Sequence, residues 1–579
     1  EDNYFDYAYT NTAGLELIHP SYEIINILSK KVKKGITVLL NDKQGYPRYW
    51  KYIFIKNGFI LKKAKKISSN VILYTFMKEK KEKYKMFENV GNMSKEQQVR
   101  NAGIYMFPTI VSIILPIISL PIILRSLSPA EYGAYALSLA FASVVVGFCQ
   151  LSLLDVFERN FFIYKTDKER AQLLFTIISF VSSIMFVAGI VIYFFKGYLA
   201  AWIIQNKVYG LMLLCTFVGQ TMQTNCNYYL SFLKNIGNAK LNVSIIFTTS
   251  LLSVILNIYF VSILKIGPIG LALGLLISNT IIFLIITIYF ITRIKFSLYP
   301  SILISSLKLS LPLVPTNFLS IVGKQFDKYI ISVITSVGGA GIYAISQRIS
   351  GLSFLFMTSI HKVYGPIVYH RMFNKNSKDG GKEIGQYLTP FAYFSVSAAL
   401  IVSLFSEEAL IILAPPEYII GLGIINIICI SYSFSFFTKQ PQIMYAGKTI
   451  VLSLLTFINF IITIVITYIC VNKFGLLGAA IGYFITTIIY NSIYLWQGQK
   501  YYKIHYEWIK IIAIYSFLIF SSLTVIQLYQ INISYVYRLI IKIIYMLAYL
   551  GLGAYLKIIT RSNFKLILNI FKSTSSIQV

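Results

Sequence analysis

Acidic residues are scarce in this chain: 22 Asp and Glu stand against 52 Lys and Arg in 579 residues, and charged residues of both signs make up 13%. A water-soluble domain carries about 25%. The shortage excludes a disordered polyelectrolyte and an ordinary soluble enzyme. Histidine is scarcer still, with four residues in no ligand-like spacing, which argues against a metal enzyme. The five cysteines, Cys149, Cys215, Cys226, Cys429 and Cys470, are far apart and lie in apolar runs. They read as small core hydrophobes rather than a disulfide or zinc framework. No Walker sequence, HExxH helix or Ser/His/Asp constellation is present. Neither an ATP motor nor hydrolytic chemistry is implied, and no cofactor or metal is expected.

What fills the chain is hydrophobic bulk, 56% of all residues, with 44 Tyr and 42 Phe. The composition changes near residue 100: the first hundred residues hold 19 basic and 10 acidic side chains, and almost all the long apolar runs follow. The chain opens on Glu1, as a processed or partial chain would, and no signal-peptide pattern precedes the first run. Runs of about 20 apolar residues match the ~30 Å core of a bilayer. They fall near 103–124, 134–154, 172–195, 209–232, 241–264, 269–292, 309–335, 341–366, 385–405, 418–438, 447–470, 475–496, 508–528 and 535–556. Buried helices of a soluble protein are the alternative, but runs of this number and length disfavour it. The expected fold class is an all-α polytopic membrane protein with about 14 transmembrane helices and a small α/β N-terminal segment.

The net charge of +30 would ordinarily suggest a nucleic acid. Its placement says otherwise. Connections after even-numbered spans, taken with the adjoining span ends at Lys362, Lys448 and Lys510, hold nineteen Lys and Arg, among them Arg159, Lys234, Arg293, Arg371 and Lys503. Those after odd-numbered spans hold five (Arg125, Lys196, Lys207, Lys265, Lys473), and the one after the ninth span carries Glu407, Glu408 and Glu417. This is the positive-inside pattern, so both termini are expected to be cytoplasmic in a plasma-membrane protein, and no nucleic-acid partner is expected.

The chain also repeats itself. Gly133-Ala-Tyr135-Ala136-Leu-Ser138 returns as Gly341-Ile-Tyr343-Ala344-Ile-Ser346; Gly267, Gly270 and Gly274 return as Gly475, Gly478 and Gly482; Lys240 returns as Lys448. Every pair is 208 residues apart. An offset of six spans preserves orientation, which predicts two parallel six-helix lobes and two appended helices. Close helix packing alone can account for the glycines. Parallel lobes of this kind place a substrate site between them and point to a transporter rather than a channel or membrane enzyme.

Ionisable groups at bilayer depth are costly, so they mark candidate sites. The seventh span holds Lys324, Asp327 and Lys328 on one helical face, after Pro312 and Pro315, and Arg348 enters from the eighth. One reading is a self-neutralising Asp–Lys pair with a snorkelling arginine. The other is a cationic cavity for an anionic substrate. The equivalent positions in the first half, Pro116, Ser119, Leu120 and Ala140, carry no charge. The first half offers Asp155, Glu158 and Arg159 instead, with Asp155 and Arg159 spaced to pair, as a structural ion pair or an inner-mouth receiver. Span four has a polar face of Gln220, Gln223, Asn227 and Lys234; Lys439, Gln440 and Gln442 read as interfacial; Arg538 and Lys542 could snorkel or meet a lipid phosphate.

Several stretches carry a resemblance. Met93-Ser-Lys-Glu-Gln-Gln-Val-Arg-Asn-Ala-Gly-Ile-Tyr, Leu127-Ser-Pro-Ala-Glu131-Tyr-Gly133-Ala-Tyr135, Leu309-Ser-Leu-Pro312-Leu-Val-Pro315 and Asp327-Lys-Tyr-Ile-Ile resemble polysaccharide-repeat (Wzx-type) flippases. These belong to the multidrug/oligosaccharidyl-lipid/polysaccharide exporter superfamily, and the likeness covers about residues 93–558. It implies alternating-access flipping of a polyprenyl-diphosphate-linked oligosaccharide from the cytoplasmic to the outer leaflet. Lys324, Asp327, Lys328, Arg348 and Arg159 are then the candidate cavity residues. Membrane lipids, a glycan polymerase and glycosyltransferases are the partners implied, and the two appended helices a groove for the lipid tail. A cation-coupled multidrug antiporter of the same superfamily and a membrane glycan polymerase or ligase are the alternatives.

The expected divisions are 1–92, 93–300, 301–500 and 501–579. In the first, a helix over Pro20–Lys34, a strand over Ile36–Leu40, a helix over Pro47–Asn57 and a strand pair over Lys62–Phe76 resemble the C-terminal end of a class I, SAM-dependent methyltransferase-like domain. A generic α/β remnant or a fusion junction near Met93 is the alternative. A Gly-rich cofactor loop is absent, so no methyl transfer is implied.

Overall fold

The computed structural model describes residues 5–11, 32–41, 59–68, 71–78 and 114–558, apart from 165, 295, 374–379, 440 and 532. The chain divides into two compact units, residues 1–88 and 89–579.

The first unit contains a four-stranded sheet. Its strands are β1 (Phe5–Asn11), β2 (Val32–Asn41), β3 (Phe59–Ser68) and β4 (Val71–Lys78), in the order β1-β2-β4-β3. β1 runs parallel to β2, and the other pairings are antiparallel. Two residues separate β3 from β4, so the expected strand pair over Lys62–Phe76 is a hairpin. The expected strand Ile36–Leu40 lies inside β2, whereas β1 was not foreseen. The expected helix over Pro20–Lys34 is corrected at its end. Val32–Lys34 belong to β2, whose run of Val, Ile and Thr suits a strand paired on both sides. The rest of that helix, and the one over Pro47–Asn57, lie outside the described residues.

The second unit is helical. Its elements are α1 (Ile114–Leu124), α2 (Pro129–Cys149), α3 (Leu153–Ile163), α4 (Asp167–Ile203), α5 (Gly210–Asn235), α6 (Ala239–Ile258), α7 (Ile269–Arg293) and α8 (Pro300–Ser310). They continue as α9 (Val314–Ile334), α10 (Val337–Phe373), α11 (Gly380–Leu404), α12 (Ser406–Leu413), α13 (Gly421–Phe434), α14 (Thr449–Tyr501), α15 (Trp508–Gln530) and α16 (Tyr535–Tyr555). Local chemistry fixes several starts. Ser128 and Glu131 form a capping box ahead of α2 with Pro129 at its first position, and Thr166 and Glu169 do the same for α4.

Each of the fourteen expected spans falls on a helix, the first over its described part only. Among the described residues, ten helices are long and apolar enough to cross a membrane. One of these, α14, is two spans end to end, because Gly475 adopts φ 55° and breaks the helix there. Its repeat partner Gly267 is also left-handed, with φ 73°, at the start of α7. Gly270 and Gly478 each face the preceding helix, as do Gly274 and Gly482, so the duplicated glycines do the same work in both halves. Two long helices are more polar than these ten: α5, with Gln220, Gln223, Asn225 and Asn227, and α10, with Ser346, Gln347, Arg348 and Ser350. Both are interior, α5 packing on α2, α4 and α7, and α10 on α2, α11 and α13.

The appended helices fasten to the second lobe. α15 packs on α11 and α13, and α16 on α11 and α15. Tyr393 and Tyr549 stack at 4.5 Å, and each hydroxyl donates to the other residue's carbonyl at 2.9 Å. Large apolar side chains stay exposed around the unit, for instance Phe194 (72%) and Ile509 (85%). Exposed apolar surface on this scale suits lipid.

Candidate functional site

The two lobes meet along α2 of the first and α9 and α10 of the second. At the end holding the α2 N-terminus, the contact is between repeated residues. A Cβ on Gly133 would strike the Val337 carbonyl, and one on Gly341 the Pro129 carbonyl. The glycines therefore permit backbone-to-backbone approach of α2 and α10. Gln205 reaches across to donate to the Ser332 carbonyl at 2.9 Å, and Trp202 lies 5.7 Å from Tyr329.

A second contact zone lies at the other end of α2. Phe148 meets Phe318 edge-on at 5.4 Å, and Gly147 faces Ile321. Asn317 donates to Ser152 (3.0 Å) and to Asp155 (2.8 Å), and Asn160 donates to Ser306 on α8 (3.3 Å).

Between these zones lie two of the expected cations. Lys324 is three residues past Ile321, on the α9 face turned to the first lobe, and is exposed. It has no hydrogen bond or ion pair among the described residues. Arg348 is seven residues past Gly341 on α10, is exposed, and donates to the Tyr132 hydroxyl of the first lobe at 3.5 Å. Each sits ten or eleven residues from the nearer helix end, about 15 Å in at 1.5 Å per residue. Exposed charge at that depth requires a polar space, because hydrocarbon does not solvate it.

Asp327 and Lys328 behave differently. Both are buried, and the Lys328 ammonium lies 4.0 Å from the Asp327 carboxylate and donates to Gln325 at 3.0 Å. Asp327 also accepts from the Lys328 amide (2.8 Å) and from Gln347 (3.5 Å), and Tyr343, Tyr432 and Tyr483 lie within range of its charge. The four residues expected together thus separate into a buried pair and two exposed cations. Arg348 turns to Tyr132 rather than to Asp327, since adjacent helical positions point about 100° apart and Gln347 takes the carboxylate.

Arg159 is exposed on α3 and contacts only Asn160 beside it at 3.3 Å, among the described residues. The expected Asp155–Arg159 pair is not formed, because Asp155 is taken by Asn317 across the lobes. Glu158 pairs with Lys234 at 2.7 Å and accepts from Ser231 at 2.7 Å. Partial burial would push the Glu158 carboxyl up, but those two bonds outweigh it and hold the group below the usual range. On α5, Gln223 and Asn227 are exposed one turn apart, and Gln220 is half-buried.

Three expectations near helix ends change. Glu407 and Glu408 open the short helix α12, where Glu407 is fully enclosed. Arg538 and Lys542 do not snorkel: Arg538 binds Glu407, and Lys542 binds both Glu407 and Glu408, each at 2.7 Å. Lys542 is fully buried, so its charge must be met inside the protein. Gln442 is buried and donates to the Tyr502 carbonyl, so it is a structural residue rather than an interfacial one, whereas Gln440 lies outside the described residues. Tyr132 and Asn317 were missed. The only signal for either was a polar group beside a helix-start motif, Pro129-Ala-Glu-Tyr and Pro315-Thr-Asn.

Two lobes meeting at both ends around mid-depth cations, in a chain of membrane-length helices, define a multi-pass membrane protein of two-lobed transporter architecture. The chain belongs to the polysaccharide biosynthesis protein family, whose sequence model matches residues 122–414. Among solved structures it is similar to "Lipid II flippase MurJ, inward closed conformation", with 19% identity, a TM-score of 0.59, and coverage of 78% of this chain and 98% of that one. It also matches "a multidrug resistance MATE family transporter of the MOP superfamily" in an outward-facing conformation, with 16% identity, a TM-score of 0.46, and coverage of 75% and 99%. No curated protein matches the sequence.

Proposed function

We propose that this protein is a transporter, not an enzyme, that flips a polyprenyl-(di)phosphate-linked oligosaccharide from the cytoplasmic to the outer leaflet. The observation that carries this reading is the pair of exposed cations, Lys324 and Arg348, between the two contact zones of a polysaccharide-biosynthesis family member. A diphosphate is an anion that must cross the bilayer core, and ammonium and guanidinium groups replace part of its hydration with charge-assisted hydrogen bonds. Arg159, at the far end of α2 and α3, would receive the headgroup, while the isoprenoid chain stays in lipid. Asp327 and Lys328 complete the expected set of site residues as a neutral pair that stiffens α9 beside the cavity.

Loop charge supports an orientation with both termini cytoplasmic in the plasma membrane, which puts the α2 N-terminus outside and the α2–α3 corner inside. The divisions proposed are 93–300 and 301–500 for the lobes and 501–579 for the appended helices. Residues 1–92 form a cytoplasmic α/β segment, and the antiparallel hairpin beside β2 supports its likeness to the end of a methyltransferase-like domain without any claim to that chemistry. Glycosyltransferases and a glycan polymerase would act before and after flipping. The antiporter alternative needs a carboxylate free to exchange a cation, and Asp327 is engaged by Lys328 and Gln347.

Depletion followed by locating the lipid-linked oligosaccharide tests the proposal. Accumulation in the inner leaflet is expected. Arrival in the outer leaflet at the normal rate overturns it.

A further inference from the structure

We infer that the Asn317 side-chain amide is the latch that holds the inner end of the cavity shut, and that the α2–α3 corner is the element it catches. The inference rests on the alternating-access reading above and adds the residues that gate it.

Asn317 Nδ2 has two N–H groups, and the two acceptors available to it lie on the opposite lobe: Ser152 Oγ at 3.0 Å and Asp155 Oδ2 at 2.8 Å. Both acceptors belong to the corner where α2 stops and α3 begins. Leu151 and Ser152 stand there at φ 48° and 55°, two successive residues in the left-handed region with no glycine between them. That region is unfavourable for residues with a Cβ and persists where surrounding contacts enforce it. The corner is therefore held in a conformation it would leave if released. On the other side, Asn317 lies just after Pro312, Pro315 and the 3-10 turn Leu311–Leu313 that separates α8 from α9. Two helix breaks thus face each other, joined by one amide.

The neighbouring contacts give the latch its seat. Phe148 on Phe318 and Gly147 on Ile321 close the apolar layer above it, and Asn160 to Ser306 joins α3 to α8 beside it. All of these contacts cross between α2 or α3 and α8 or α9, so inward opening must break them. Only the Asn317–Asp155 bond has a carboxylate acceptor, and at 2.8 Å it is the shortest of the hydrogen bonds in the set.

Cys149 supplies a native reporter. It is free, buried to 5% exposure, and lies between Phe148 and the corner. Full-length protein in inside-out vesicles is treated with a membrane-impermeant maleimide, and alkylation of Cys149 is followed by peptide mass spectrometry, which separates it from the other four cysteines. Asn317→Asp places a carboxylate against Asp155 and is expected to raise the Cys149 rate roughly tenfold. Asn317→Asp combined with Asp155→Asn exchanges the amide and the carboxylate across the gap and is expected to return the rate to that of the unaltered protein. Unchanged labelling in the single variant, or no recovery in the exchange, overturns the inference. If Asn317→Asp does not accumulate, Ser152→Ala removes one acceptor only and is judged by the same criterion, with a rise expected and an unchanged rate overturning the latch. The readout needs no substrate, so a failed latch leaves the flippase proposal standing, and a failed depletion experiment leaves the latch measurement intact.

Discussion

At the scale of single residues, the charges inside the helices divide by what meets them. Arg348 and Lys324 are exposed to the space between the lobes, so Arg348→Ala and Lys324→Ala should each lower flipping at normal abundance. Arg348→Lys should recover part of it, because the charge remains and the planar fork is lost. The check is transport measured against membrane abundance, and normal transport by both alanine variants removes them from the site. Lys328→Ala should differ in kind, reducing abundance by leaving Asp327 buried beside an empty place. Glu407→Gln removes the carboxylate that Arg538 and Lys542 share, leaves Lys542 to Glu408 alone, and should cost about 1–3 kcal/mol, visible as a lower melting temperature in detergent. The sequence marked all these positions because charge stands out in an apolar run. It offered the Asp327–Lys328 pair as one reading but did not foresee the other pairing: Glu407 and Arg538 are 131 residues apart, and only packing brings them together.

At the scale of elements, the helices were legible and their joints were not. A run of about 20 apolar residues states its own length, so each expected span falls on a helix. The break after Cys149 carries no proline or glycine and arises from two left-handed residues that the opposing lobe stabilises. No local pattern announces such a corner. β1 was missed for a related reason, since it gains its strand pairing from β2, with 20 residues between the two strands. The glycines give a sharp test at this scale. Gly133→Ala and Gly341→Ala drive a methyl group into a backbone carbonyl, which cannot rotate aside, and each should lower stability by about 1–3 kcal/mol. Gly351→Ala, in the same α10 with open space around it, should be neutral or stabilising by up to about 1 kcal/mol. Thermal unfolding of the three variants side by side decides it, and equal behaviour would mean that α2 and α10 do not cross at these glycines.

At the scale of the whole molecule, charge and repetition were enough to predict the topology, because basic residues gather on one side and six spans restore direction. Single cysteines introduced in place of Lys207 and Lys503, both exposed, should be labelled from opposite sides of intact cells, Lys207→Cys from outside and Lys503→Cys only after permeabilisation. Labelling of both from outside refutes the orientation. How the lobes touch was only partly legible: the repeat marked Gly133 and Gly341, and charge marked Asp155 and Arg348, but their partners Tyr132 and Asn317 hold no special place in their own helices.

The meeting of Gly133 with Gly341 has a historical consequence. The two residues occupy the same place in the repeat, so the contact is isologous, with one patch pressed against its own copy across an approximate two-fold axis. A free-standing chain of six helices would insert each copy in the same direction and could make this contact with a second copy of itself. Fusion of two such genes would then inherit an interface already formed, and only afterwards could one half acquire Lys324, Asp327, Lys328 and Arg348 while the other kept Pro116, Ser119, Leu120 and Ala140. The present asymmetry of charge would be the younger feature, laid over an older homodimer.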